Sequence, residues 1–138
     1  MTIRNHRSPV RRATGPDALT VEALVARGQG RCEIGNEELH GDRGDDWHVH
    51  HRRPRQMGGS KRRDTNGIEN LLLLCRAHHE FVEKYRTTAY NAGWLVAQSK
   101  SPAATPVRIW TRRWVLLTDD GGYRPVEDVH LPEAPDGR

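Results

Sequence analysis

Two stretches of this chain decide its fold: WHVHHRRP at residues 47–54 and NLLLLCRAHH at residues 70–79. The first predicts a β-strand over 47–51 that Pro54 stops, because proline cannot donate to a sheet ladder. The second opens with four leucines, a run too short to classify by periodicity. Six of the eight histidines lie between His40 and His79, so we expect the chemistry of the protein in this window.

The surrounding segments predict two helices. The first covers residues 20–27, with Thr20 as its N-cap and Gly28 at its end. The second runs from about residue 77 to residue 91, where Gly93 is a natural stop.

Beyond this point the composition is typical of β-structure. The predicted strands cover residues 94–96, 107–109, 113–118 and 123–126, and Asp-Asp-Gly-Gly at 119–122 predicts a hairpin turn. Trp94, Trp110 and Trp114 are spaced like strand residues that pack in a core. We therefore do not expect them to form a base-stacking platform.

The length and composition fit one small domain with a thin core. Of 138 residues, 35% are hydrophobic and 29% are charged, and the mean hydropathy is −0.84. Such a domain usually needs a metal or a partner for stability. We divide the chain into a basic flexible arm (1–16), a histidine-containing core (17–93), a β-rich extension (94–126) and a flexible tail (127–138).

Composition also excludes several classes of protein. No apolar run approaches the roughly 18 residues of a membrane span, and no signal-type apolar segment follows the N-terminus, so we expect a cytoplasmic protein. Two cysteines are too few for a disulfide-rich scaffold. A net charge of +4 indicates an anionic partner, although only weakly.

The histidines suit the hydrolysis of a phosphodiester, which needs a base for the attacking water and a cation for the phosphate charge. His51 suits the base, because an imidazole with an ordinary pKa of about 6.5 is largely neutral at pH 7. His50 and His79 suit metal ligation. Adjacent strand residues point to opposite faces, so His50 and His51 share a site only if the chain bends. The Arg-Arg-Pro sequence at 52–54 favours such a bend.

Taken in order, His50-His51, Gly58-Gly59, Asn70-Leu71, Cys75 and the histidine pair at 78–79 resemble the HNH endonucleases, in particular the small members found in phage genomes. The resemblance covers about residues 28–90. It implies an α+β fold with a small ββα-metal (His-Me finger) core, flanked by an N-terminal helix and a C-terminal β-hairpin region.

The resemblance also implies an activity and its residues. The chain would be a metal-dependent DNA endonuclease in which His50 and His79 bind a divalent Mg²⁺, Mn²⁺, Ni²⁺ or Zn²⁺ ion and His51 is the general base. Asn70 would tie down the loop and orient that base. Glu83 lies one helical turn beyond His79 and is a further candidate ligand.

A second asparagine, Asn66, is an alternative for the role of Asn70, but it lacks the Leu-x-x-Leu-Cys context. Enzymes of this family leave 5′-phosphate and 3′-hydroxyl ends. The likeness to phage members implies a role in genome packaging beside the phage terminase, in the cytoplasm of a bacterial host.

Many HNH relatives carry a structural zinc held by two Cys-x-x-Cys knuckles, and here each knuckle is altered. A glycine replaces the second cysteine of the first, and His78 replaces that of the second. Cys32, Cys75 and His78 remain as candidate zinc ligands, with a fourth from His40 or from residue 48. The alternative is that zinc is absent and both cysteines are buried thiols. Residues 78 and 79 point about 100° apart on a helix, so each can serve a different metal.

Six basic residues surround the catalytic pair: Arg52, Arg53, Arg55, Lys61, Arg62 and Arg63. We predict that they contact DNA phosphates, against the simpler interpretation of a solvated charge run. Nothing resembles a base-reading helix, so we expect little sequence specificity. A second hypothesis for the chain is a non-catalytic, zinc-stabilised DNA- or protein-binding module, in which the cysteines matter and His51 is dispensable.

Overall fold

The computed structural model describes residues 3–4, 15–55 and 62–127, which form a mixed α+β fold with three α-helices and small sheets. The elements are β1 (Ile3–Arg4), α1 (Ala18–Gly28), β2 (Gly41–Asp42), β3 (Trp47–His51), β4 (Leu71–Cys75), α2 (Arg76–Lys84), α3 (Arg86–Ala92), β5 (Val107–Arg108), β6 (Trp114–Leu117) and β7 (Tyr123–Pro125). Strands β1 and β2 form a parallel pair, β3 and β4 an antiparallel pair, and β5, β6 and β7 an antiparallel sheet. None of the described helices is long and apolar enough to cross a membrane. The predicted glycine pair, most of the basic arm and all but the first residue of the predicted tail lie outside the described residues.

The hairpin of β3 and β4 is the centre of the fold, and the strand predicted over 47–51 is confirmed. His50 pairs with Leu72 and His51 with Leu71 in the antiparallel register. All four leucines of β4 are fully buried, because α1 and α2 both pack on this strand. A strand covered on both faces has no alternation of polar and apolar residues, which is why periodicity could not classify it.

The helix predictions need two corrections. Asp17, not Thr20, caps α1, since its side chain accepts a hydrogen bond of 2.8 Å from the Thr20 amide. The helix then continues through Gly28, and Gln29 takes the left-handed conformation at its C-terminus. The single helix predicted over 77–91 is two helices that meet at Tyr85, where the backbone leaves the helical region.

The C-terminal residues confirm the predicted hairpin of β6 and β7, but residues 94–96 are not a strand. The amides of Trp94 and Leu95 bond back to the carbonyl of Ala89, so these residues complete the end of α3. Trp94 and Trp114 are buried, as predicted. The prediction for Trp110 is wrong, because it lies in the turn between β5 and β6 with 46% of its surface exposed.

A buried ion pair joins α1 to the hairpin and to β7. Arg27 donates from Nε and Nη2 to the two carboxylate oxygens of Glu33, at 2.8 and 2.9 Å. Glu33 also accepts from the Leu73 amide and from the hydroxyl of Tyr123. Burial and the negative charge of Glu33 raise the pKa of Tyr123. The Glu33 carboxylate thus accepts two hydrogen bonds on each oxygen, which is what makes its burial tolerable.

Candidate active site and metal centres

Strands β3 and β4 and helix α2 form a ββα unit, one face of which brings together three of the predicted metal ligands. Strand β3 carries His50, and α2 carries His79 and Glu83 four residues apart, on one side of the helix. One ligand atom from each residue lies within 4.8 Å of the other two. His50 is buried, His79 is half-buried and Glu83 is exposed. The group therefore has a buried inner end and an outer end open to solvent.

His50 is prepared for metal ligation by its surroundings. Its Nε2 lies 2.8 Å from the carbonyl oxygen of Trp94, so this nitrogen carries the proton and Nδ1 keeps its lone pair for a cation. Metal-bound histidines usually donate their other N–H to such an acceptor. Burial lowers the pKa of His50 to about 3 and also lowers the pKa of His79. Both imidazoles are thus neutral at pH 7, as ligation requires.

His51 is held by an asparagine, but not by the one that the sequence favoured. Its Nε2 lies 2.8 Å from Oδ1 of Asn66. Strand β3 stays regular through His51, so the bend expected to turn His50 and His51 toward one site does not lie between them. The chain bends directly after the strand, at residues 52–53. His51 is therefore the last strand residue, half-buried, next in the chain to the metal-ligand candidate His50.

Asn70 ties down the loop, as the resemblance implied, without contacting the imidazole of residue 51. Its Oδ1 accepts from the Arg53 amide at 2.8 Å, and its Nδ2 donates to the carbonyls of Arg53 and Thr65 at 3.1 and 2.8 Å. The two roles predicted for one asparagine are thus divided between two. Asn70 closes the loop, and Asn66 orients the histidine.

A second group of potential metal ligands consists of Cys32, Glu37, Cys75 and His78. The His78 Nδ1 lies 3.6 Å from the Cys32 Sγ, 3.2 Å from the Cys75 Sγ and 3.1 Å from the Glu37 Oε2. The Cys75 Sγ and the Glu37 Oε2 are 3.8 Å apart. In a tetrahedral zinc site with bonds of about 2.0–2.3 Å, neighbouring ligand atoms stand about 3.3–3.8 Å apart. The distances of 3.1–3.8 Å are close to this range, so these four side chains could hold a metal ion.

The fourth member of this group is Glu37, and not His40 or His48 as expected. His40 lies on the surface, with 65% of its side chain exposed. His48 faces the other centre, with its ring centroid 4.6 Å from that of His79. A Cβ on Gly35 would lie 2.0 Å from the Glu37 Oε1. The carboxylate of Glu37 therefore fills the space that a second knuckle cysteine would occupy.

The two groups share helix α2. His78 belongs to the group with Cys32, Glu37 and Cys75. The next residue, His79, belongs to the group with His50 and Glu83, as the sequence predicted. Cys75 also caps the helix, since its Sγ accepts a hydrogen bond from the His78 amide. Burial raises the pKa of the Cys32 thiol to about 12, so a cation would have to displace its proton.

Two of the six predicted DNA contacts are structural. Arg52 is fully buried and donates to the carbonyls of Glu69, Gly93, Pro102 and Thr105. Arg53 is 5% exposed and pairs with the Asp64 carboxylate and the Lys100 carbonyl. Neither guanidinium can reach a phosphate outside the fold. They anchor the loop that follows His51 instead.

The remaining basic residues are on the surface or outside the described part of the chain. Arg55, Arg62 and Arg63 are exposed, and Arg62 donates to the Gln98 carbonyl. Lys61 lies outside the described residues, so its role stays a prediction.

Comparisons of the chain with models of known protein families, with curated proteins and with solved structures found no match.

Proposed function

We propose that this chain is a metal-dependent DNA endonuclease with a ββα-metal core. The observation that carries the proposal is the convergence of His50, His79 and Glu83 at the end of a strand whose last residue, His51, is held by Asn66. Strands β3 and β4 and helix α2 follow one another in the chain and pack as one unit, which supports a ββα-metal arrangement.

His50, His79 and Glu83 are suited to hold a divalent cation such as Mg²⁺, Mn²⁺, Ni²⁺ or Zn²⁺. When bound, the cation supplies positive charge against the scissile phosphate and the leaving oxygen. The Trp94 carbonyl fixes the ring of His50, so this ligand stays in place whether or not substrate is present.

In this proposal His51 removes the proton from the attacking water. Its Nε2–H donates to Asn66, so Nδ1 is the nitrogen that accepts the proton. The water oxygen bonds to phosphorus, the bond to the 3′ oxygen breaks, and that oxygen takes a proton from solvent. The products are a 5′-phosphate and a 3′-hydroxyl. Positive charge on His51 after this step is stabilised by the acceptor oxygen of Asn66.

The second group would act as a structural zinc centre. Two thiols, an imidazole and a carboxylate suit Zn²⁺ better than Mg²⁺, which prefers oxygen ligands. Its members come from the 32–37 loop and from the start of α2. Zinc would clamp this loop to the helix that carries His79 and Glu83, and so stabilise a thin core.

Exposed Arg55, Arg62 and Arg63 lie on the loop that follows His51, where they would contact the phosphates on either side of the scissile bond. DNA is therefore the proposed partner. A role beside a phage terminase stays a prediction from the resemblance.

A plasmid-nicking assay tests the proposal. Purified protein is incubated with supercoiled DNA and Mg²⁺, Mn²⁺, Ni²⁺ or Zn²⁺, or with EDTA. His51→Ala is compared with His40→Ala, a matched change at an exposed histidine outside both metal groups. We expect metal-dependent nicking by the wild type and by His40→Ala, and a loss of about 100-fold or more in His51→Ala.

Equal cleavage by the two variants would contradict the role of His51. A folded wild-type protein that cleaves with none of the metals, but still retards DNA on a gel, would favour the non-catalytic binding module instead.

A further inference from the structure

The turn between β5 and β6, residues 109–113, is a rigid and strongly basic projection. The Ile109 amide donates to the Arg113 carbonyl at 3.2 Å, and the Arg112 amide donates to the Ile109 carbonyl at 2.9 Å. The Trp110 amide donates to the carbonyl of Glu33 at 3.0 Å, which fastens the turn to the buried ion pair below it. The side chains of this turn are thus presented on a fixed backbone.

The side chains on the turn combine one exposed aromatic ring with positive charge. Trp110 is 46% exposed, whereas Trp94 and Trp114 are buried. Residues 105–118 contain three arginines and no acidic residue. In the part of the chain that the structure describes, neither Arg112 nor Arg113 takes part in an ion pair.

The positive charges crowd one another. Arg108 lies on β5 at the base of the turn, and burial together with the neighbouring Arg112 lowers its pKa. Arg112 has a φ of 67°, in the left-handed region that glycine adopts without strain. A glycine there would remove this strain. Arginine at this position places a third cation where the fold alone does not require one.

Strand β5, which leads into the turn, is connected to the proposed catalytic centre through Trp94. The carbonyl of this residue accepts from His50, and its indole donates to the Arg108 carbonyl at 2.7 Å. Trp94 thus bridges Arg108 of β5 and the metal-ligand candidate His50.

From this arrangement we propose that Arg108, Trp110, Arg112 and Arg113 bind DNA that has an unpaired base, with Trp110 stacking on that base and the arginines on the adjoining phosphates. The inference rests on the proposed nuclease function and names its substrate class as single-stranded or locally unpaired DNA. An exposed indole beside cations is typical of single-strand binding, because bases inside a duplex already stack on each other.

Fluorescence anisotropy of labelled DNA tests this proposal in a His51→Ala background, which blocks cleavage and leaves both metal groups in place. A 20-nucleotide single strand and a blunt duplex of the same sequence are compared. Trp110→Ala is matched by Tyr90→Ala, an aromatic residue of similar exposure on α3. Arg112→Gln is matched by Arg31→Gln, an exposed arginine just before the 32–37 loop.

We expect Trp110→Ala to weaken binding of the single strand about 5-fold to 100-fold and of the duplex less than about 3-fold, with no change in salt dependence. Arg112→Gln should reduce the slope of log Kd against log salt by about 0.7 on the single strand. Tyr90→Ala and Arg31→Gln should leave both quantities unchanged.

Wild-type affinity for either form of DNA in both Trp110→Ala and Arg112→Gln would overturn this inference and leave the proposed nuclease standing. An equal loss on single strand and duplex would overturn the unpaired-base substrate. Failure of the unmodified background protein to bind either form of DNA would count against the nuclease proposal as well.

Discussion

Replacement of Arg52 should cost stability and not DNA affinity, although the sequence places this residue in a basic run beside the catalytic pair. Its guanidinium donates to the carbonyls of Gly93, Glu69, Pro102 and Thr105 at 2.8, 2.9, 3.0 and 2.8 Å. The four acceptors come from three separate segments. Arg52 therefore fixes the loop after β3 to the end of α3 and to the segment before β5.

The magnitude follows from those contacts. A hydrogen bond from a charged donor contributes about 1.5–3 kcal/mol, and removal of one partner from a buried polar network costs about 3–5 kcal/mol. Folded domains are stable by only about 5–15 kcal/mol. Arg52→Ala should thus lose at least about 3 kcal/mol of unfolding free energy. Arg52→Lys should lose part of it, because an ammonium group keeps the charge but cannot span four acceptors.

Urea unfolding in the presence of Zn²⁺, followed by tryptophan fluorescence, measures this loss. The matched control is Arg63→Ala, which removes an exposed arginine from the same basic run. That control should keep its stability within about 0.5 kcal/mol and should weaken DNA binding. A loss below about 1 kcal/mol in Arg52→Ala, together with reduced DNA affinity at full folding, would refute the structural role.

Three further changes have defined outcomes. Burial and the charge of Glu33 raise the pKa of Tyr123 in the folded state. The stability that the neutral phenol contributes is therefore complete below the phenol's pKa of about 10 in the unfolded chain, and it declines as the pH rises above that value. Tyr123→Phe should flatten the fall of Tm between about pH 9 and pH 11. Gly93→Ala should cost more than about 2 kcal/mol in urea unfolding, because φ is 76° there and a Cβ would lie 2.0 Å from the Pro106 carbonyl oxygen. Asn66→Ala should slow metal-dependent nicking at least about 10-fold at an unchanged urea midpoint, and normal nicking would show that the imidazole does not need this partner.

The elements that the sequence predicts well are those with a local signal. Strand β3 follows from its strand-forming residues and from Pro54, and the β6–β7 hairpin follows from the Asp-Asp-Gly-Gly turn. The helix break at Tyr85 has no local marker such as proline or glycine, and the buried leucines of β4 have no periodicity to read. These features depend on what packs against the segment, so they needed the structure.

The candidate site divides in the same way. The spacing of residues 79 and 83 on one helix was enough to group Glu83 with the histidines. The position of Glu37 follows from the shape of the 32–37 loop, in which Gly35 leaves room for its carboxylate. Arg52 was predicted to contact phosphate because a run of basic residues has the same sequence pattern whether its side chains are buried or exposed. The one sequence signal for Glu37 is that an acidic residue follows two positions after Gly35, the glycine that replaces the second cysteine of the first knuckle.

The most direct test of the central claim is the anomalous scattering of crystals grown with Zn²⁺ and soaked in Mn²⁺. We predict a manganese peak at about 2.0–2.3 Å from side-chain atoms of His50, His79 and Glu83. We also predict a zinc peak among the side chains of Cys32, Glu37, Cys75 and His78. Absence of a metal peak between His50, His79 and Glu83, at full zinc occupancy of the other group, would contradict the claim that this ββα unit holds a catalytic cation.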